Sequence, residues 1–319
     1  MLYVIAGATA TGKTALAVEL AKHINGEIVS ADSMQVYKHM NIGTAKPTEE
    51  EKQGIPHHLL DVVSPNEPFS MAEYQKLGRI AINDILSRNK IPIITGGTGF
   101  YINGLIFGAE LSQNENNEDK GDGELRQKFA TIASEEGAEY LHAMLHKVDP
   151  QSAKVIHPNN IKRVIRALSY NESTGKLFSA HNAEQRSTAP LYNTKFFVLS
   201  MKRDTLYERI NQRTISMWQA GLVDEVHELL SMGYDSGLAP LQGIGYKETI
   251  QFLNGGFFNR KPNAPSYDED EVISAIQQAT RNYAKRQETW FRNKNSSAYL
   301  LKVEEKPVDT LVRELLNNS

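Results

Sequence analysis

"GATATGKT", residues 7–14, decides how the rest of the chain is read. Gly7, Gly12, Lys13 and Thr14 satisfy the pattern G-x-x-x-x-G-K-[ST], the signature of a phosphate-binding loop. Residues 1–6 ahead of it are a short apolar run that reads as a strand. Residues 14–25 behind it read as a helix, with Leu16, Leu20 and Ile24 on one face and Gly26 beyond the end. In that context backbone amides and the positive helix end can wrap phosphate oxygens, so Ala8, Thr9, Ala10 and Thr11 are assigned to phosphate binding through their main chain. Lys13 is expected to neutralise the phosphates and Thr14 to ligate Mg²⁺. The motif says that a phosphate is held and is silent about whose.

Working outward, "EIVSA" (27–31), "IPIIT" (91–95) and "KFFVLSM" (195–201) are further strand signals. Strands alternating with helices imply an α/β fold with a parallel sheet flanked by helices and ligands bound beyond the strands' carboxyl ends. The alternation stops at "LSQNENNEDKGDGE" (111–124), which is acidic, Asn-rich and aperiodic and reads as a mobile linker. Helical sequence follows, including "NNIKRVIRALSYNESTG" (159–175). Residues 116–190 are therefore expected to form a helical domain inserted into a core made of 1–115 and 191–319. Amphipathic helical sequence is expected to dominate from there to the C-terminus.

The 319 residues are 40% hydrophobic and 23% charged, which suits a soluble globular chain with one large core and an insertion. No basic-then-apolar leader or membrane-length apolar run is read, so a cytoplasmic protein that makes no membrane contact is expected. With no cysteine, disulfides, thiolate nucleophiles and cysteine-bound zinc are excluded. The net charge of −3 excludes a globally basic nucleic-acid binder but leaves local basic patches open.

Asp32 stands just past the second strand, beside the expected phosphates. It can cap a turn or support Mg²⁺; it can also serve as a general base that takes a proton from an amine as the amine becomes cationic. "TGGTGFY" (95–101) is a second glycine-rich turn at the same sheet edge, which brings Thr98 into consideration.

"GATATGKT", "ADSMQVYKHMNIGTAKP", "HHLLDVVSP", "IITGGTGFYINGL", "HPNNIKRVIRAL", "ERINQRTISMWQAGLVDEV", "LQGIGYKE" and "TRNYAKRQETWFR" occur in this order. Together they resemble the bacterial-type tRNA dimethylallyltransferases, also called tRNA isopentenyltransferases, over nearly the whole chain. The resemblance implies a P-loop-kinase-like core with a helical insertion. It also implies transfer of a dimethylallyl group from dimethylallyl diphosphate to N6 of adenosine 37, in tRNAs that read codons beginning with U. It makes Asp32 the general base, Thr98 its helper in orienting N6, and Lys13 and Arg213 the groups that stabilise the leaving diphosphate. Arg209, four residues before Arg213, joins the phosphate ligands. Ser33, Met34, Gln35, Arg126, Lys162, Arg163, Arg166 and the segment Gln242, Gly243, Ile244, Gly245, Tyr246 and Lys247 are carried over as contacts to the tRNA anticodon stem-loop. Ala8 and Thr11 replace the family's commoner Pro and Ser, with little consequence expected where backbone amides bind.

The basic residues of "KRVIR" (162–166), and Arg281, Lys285 and Arg292 further on, suit RNA-backbone contact, although a solvated helix face is the ordinary use of such stripes. His57 and His58 are adjacent, poorly placed for one metal, and receive no catalytic role. Rival readings are a small-molecule P-loop kinase, a prenyltransferase acting on free adenine nucleotides, and an ATP-dependent RNA-binding module. A monomer is expected.

Overall fold

The computed structural model describes residues 1–107, 120–186, 189–255, 269–295, 297–304 and 306–318. Six parallel strands form one sheet: β1 (Leu2–Gly7), β2 (Gly26–Ser30), β3 (His57–His58), β4 (Ile91–Gly96), β5 (Thr194–Ser200) and β6 (Tyr299–Lys302), in the order β3-β2-β4-β1-β5-β6. Every residue of β1 and β2 is buried, as expected of parallel strands covered on both faces. Helices α1 (Lys13–Ile24), α2 (Glu49–Lys52), α3 (Met71–Ser87) and α4 (Gly99–Ile106) fall between or after these strands. Five more, α5 (Lys120–Glu136), α6 (Ala138–Val148), α7 (Pro150–Val155), α8 (Ile161–Thr174) and α9 (Phe178–Arg186), precede β5. Then come α10 (Arg203–Gln219), α11 (Leu222–Ser231), α12 (Tyr246–Leu253), α13 (Glu269–Lys294) and α14 (Val308–Asn317).

The chain divides into two compact units. One comprises Met1–Phe69, Glu73–Ile106 and Tyr192–Ser319; it contains the sheet and a core in which Ile5, Leu20, Ile28, Ile93 and Phe197 interlock. The other comprises Ser70–Ala72 and Phe107–Leu191 and holds α5 to α9 around Phe129, Leu141, Leu145, Val164 and Phe178. Asp149 ties that unit's turns together: it accepts from the Ser152 N–H at 3.0 Å and hydroxyl at 2.7 Å, and from the Ser179 N–H at 2.8 Å. Asp149 and Ser152 are themselves buried, where leaving such groups unpaired is costly.

One expectation is corrected and one element is added. Helices dominate the described C-terminal region, and one unforeseen strand joins them: Tyr299–Lys302 adds β6 to the edge of β5, burying Leu301. A four-residue strand with one buried position gives too little alternation to be recognised. Helix α5 begins at Lys120, inside the stretch taken as linker, and the rest of that stretch (111–119) lies outside the described residues. Among the described residues no helix is long and apolar enough to cross a membrane.

Candidate active site

At the carboxyl end of β1 the backbone turns sharply. Gly12 caps α1 at φ +88°, a left-handed conformation that glycine adopts without strain, and Ala10 is also left-handed at φ +63°. The loop opens onto a cavity of about 250 Å³ lined by Thr9, Ala10, Gly12, Lys13 and Thr14, with Asp32, Gln35 and Arg213 across from them. Gly7, Ala8 and Thr11 lie beneath and do not line it. The Ala8 carbonyl accepts from the Thr11 hydroxyl at 2.8 Å and from Lys13 Nζ at 2.7 Å, so the ammonium rests on its own loop. Loss of hydration, reinforced by the Arg213 charge and opposed by Asp32, lowers the Lys13 pKa to about 8. Burial lowers that of Arg213 too, while Asp32 and Glu51 oppose the shift.

A second cavity of about 330 Å³ adjoins the first and has a more apolar wall that includes Met34, Ile210, Met217, Ile244 and Ile276. Five residues line both: Thr9, Ala10, Asp32, Arg213 and Tyr283. Asp32 Oδ1 accepts from the Met34 N–H at 2.9 Å, which orients the carboxylate. Arg213 donates to the Thr9 hydroxyl at 3.2 Å. Tyr283 touches Thr98 and Gln287; burial first, then the Asp32 charge, raises its pKa, so the phenol stays neutral.

The sequence-assigned residues do not all converge. Ser33, Met34, Gln242, Gly243, Ile244 and Tyr246 line the larger cavity, and Gln35 the smaller. Gly245 caps α12 at φ +91° and Lys247 is exposed; neither lines a cavity. Arg209 is exposed and lines neither, because α10 packs through Leu206, Ile210, Thr214 and Trp218 and only its next turn reaches the loop. Thr98 sits behind the lining: its hydroxyl accepts from the Ser33 N–H at 3.1 Å and lies 3.4 Å from the Ser33 hydroxyl. Arg126, Lys162, Arg163 and Arg166 are exposed on α5 and α8 of the helical unit. Of the C-terminal stripe, Lys285 and Arg292 are exposed, whereas Arg281 donates to Asn211 at 2.6 Å.

Several lining residues escaped the sequence reading. Gln287 accepts from the Thr9 N–H at 2.9 Å and donates to the Gly97 carbonyl at 3.0 Å, bridging the two glycine turns. A methyl on Gly97 would stand 2.0 Å from its amide, and one on Gly96 would stand 2.1 Å from the Ala31 carbonyl, so "TGG" is a pair of close approaches. His57, brought beside Ile28 by strand pairing, lines the smaller cavity; its Nδ1 meets the Ile55 carbonyl at 2.8 Å, and its buried Nε2 makes no hydrogen bond. Burial lowers its pKa. Long-range pairing put these groups here, and no local spacing announces it.

A family model described as IPP transferase matches residues 35–294. The chain belongs to the IPP transferase family. The matched span excludes the phosphate loop and Asp32, so those residues stand apart from the family match as separate indications. Over 312 residues, 98% of this chain and 95% of the relative, it is 46% identical to the tRNA dimethylallyltransferase of Acetivibrio thermocellus. The full-length tRNA isopentenylpyrophosphate transferase of Bacillus halodurans is similar in structure, with TM-score 0.71 and 39% identity over 99% of this chain and 94% of that one. A eukaryotic dimethylallyltransferase acting on tRNA matches with TM-score 0.78 and 30% identity, over 95% of this chain and 74% of the other. Membership of the IPP transferase family agrees with the parallel α/β core.

Proposed function

We infer that this chain transfers a dimethylallyl group from dimethylallyl diphosphate to tRNA, at N6 of adenosine 37 in tRNAs reading codons that begin with U, releasing diphosphate. The supporting observation is the junction: a phosphate-loop cavity and a more apolar cavity that share Asp32 and Arg213. The diphosphate takes the smaller cavity and the base enters the larger one. Reaching it requires the adenine to leave its stack, at a cost of about a few kcal/mol that contacts to neighbouring nucleotides repay.

The N6 lone pair attacks C1 of the prenyl group as the C1–O bond breaks, and the bonding electrons leave with diphosphate. Asp32 takes the N6 proton through Oδ2 while Met34 holds Oδ1. Lys13, Arg213 and the loop amides stabilise the charge that develops on the leaving group. Thr98 orients N6 indirectly, by holding Ser33. Thr14, which lines the smaller cavity beside Lys13, would be the protein ligand of a Mg²⁺ bound with the diphosphate. When bound, Mg²⁺ offsets diphosphate charge. Ser33, Met34, Gln35 and residues 242–247 serve the acceptor side, directly or by shaping its walls. Arg126, Lys162, Arg163 and Arg166 grip the anticodon stem-loop backbone. The chain works as a monomer in the cytoplasm.

Labelled dimethylallyl diphosphate offered with tRNA, and in parallel with AMP, tests the reading. Labelled tRNA is expected. Labelled AMP in its place would make the enzyme a free-nucleotide prenyltransferase, and ATP turnover with neither acceptor labelled would make it a kinase or ATPase.

A further inference from the structure

Residues 41–45 form a tight turn that serves both cavities: Gly43 and Thr44 line the larger one and Ala45 the smaller. Irregular backbone has no ladder to satisfy its amides and needs other partners. Here the partner is Glu225, on α11 and far away in sequence. Its buried carboxylate accepts on Oε2 from the N–H of Asn41 at 2.8 Å and of Ile42 at 2.7 Å. On Oε1 it accepts from the Gly43 N–H at 3.0 Å and the Tyr246 hydroxyl at 2.7 Å. Those four donors use both oxygens fully. The Tyr246 ring lies against Gly43 so closely that a methyl there would stand 2.5 Å from it. From the other side, Gln35 donates to the Thr44 carbonyl at 3.3 Å and the Ala45 carbonyl at 3.1 Å. Glu225 itself lines neither cavity.

We propose that Glu225 is a positioning residue for the acceptor: it fixes Gly43, Thr44 and the Tyr246 ring as the wall that holds the incoming base, without touching either substrate. The proposal rests on the larger cavity being the acceptor's. A carboxylate is required because glutamine has one acceptor oxygen. Whichever way its amide turns, at least one of the three N–H groups would face an NH₂.

Two variants test it, each measured with tRNA and with dimethylallyl diphosphate as the varied substrate. In Glu225→Gln, kcat/KM for tRNA is expected to fall about ten- to a hundredfold, the loss associated with a buried donor left unpaired. Its KM for dimethylallyl diphosphate should stay within about threefold, a split that general loss of folded enzyme would not produce. Amide hydrogen exchange at residues 41–43 should quicken by about tenfold or more, with the sheet unchanged. Gly43→Ala leaves Glu225 intact but pushes the wall against the ring, so it should reproduce the tRNA-side loss even if Glu225→Gln fails to fold. Wild-type tRNA kinetics in folded Glu225→Gln or in Gly43→Ala would overturn the proposal. If the wild-type enzyme does not prenylate tRNA, the functional reading has failed. Exchange then decides the proposal alone, and unchanged exchange at 41–43 in Glu225→Gln would overturn it.

Discussion

The two cavities are built in different ways. One wall of the smaller comes from a single continuous turn of chain, Thr9, Ala10, Gly12, Lys13 and Thr14, placed by covalent neighbours and a helix start, while Asp32, His57 and Arg213 reach it from elsewhere. The larger is assembled from the 32–44 stretch, α10, residues 242–246 and α13, segments that meet only through packing. A change in that turn should act where it is made. A change in the second can act from a distance, because the walls are held by residues such as Glu225 that line nothing.

The largest expected effect falls where the two meet. Asp32→Asn keeps an oxygen for the Met34 N–H but cannot take a proton, so turnover should drop about 10²- to 10⁴-fold with donor and tRNA binding retained. Near-normal single-turnover rates would remove Asp32 as the base and dissolve the junction as the reacting point. Next is the arginine pair on α10. Arg213→Ala should raise the donor KM by about ten- to a hundredfold, the worth of a hydrogen bond to a charged group, while Arg209→Ala should leave it unchanged. The reverse pattern would mean that the smaller cavity is not the diphosphate's.

A third effect is set by pH. With a pKa of about 8 in the free enzyme, Lys13 is charged below that pH and neutral above it. Diphosphate binds the charged form, so donor affinity should be level below pH 8 and then decline by up to about tenfold per pH unit. Lys13→Arg, whose guanidinium stays charged, should abolish the decline, as isothermal titration from pH 7 to 10 would show.

The smallest effect per residue is expected in the helical unit, where Lys162, Arg163 and Arg166 are exposed on α8. Changing all three to alanine should weaken tRNA binding and reduce the slope of log K against log salt by roughly 0.7 per lost phosphate contact, the single-strand value. Donor affinity should hardly move. Loss of donor affinity with an unaltered salt slope would show that the division of labour between the units is wrong.

The sequence by itself determined the phosphate loop, the strand–turn–helix around it, the position of Asp32 at a strand end and the basic face of α8. Each follows from rules that act over a few residues: φ > 0 at Gly12, an apolar run that must be buried, and helical spacing that turns Val164 and Ala167 inward and Lys162, Arg163 and Arg166 outward. Tertiary structure alone decided which of Arg209 and Arg213 faces the loop, because the packing of Ile210, Thr214 and Trp218 sets how α10 is rotated. It also drew His57 to the smaller cavity through two-residue pairing with β2, placed Gln287 between two glycine turns and closed Glu225 over the 41–43 amides. Buried donors and acceptors must find partners, but any segment of the chain can supply them, so the requirement is local while its fulfilment is not.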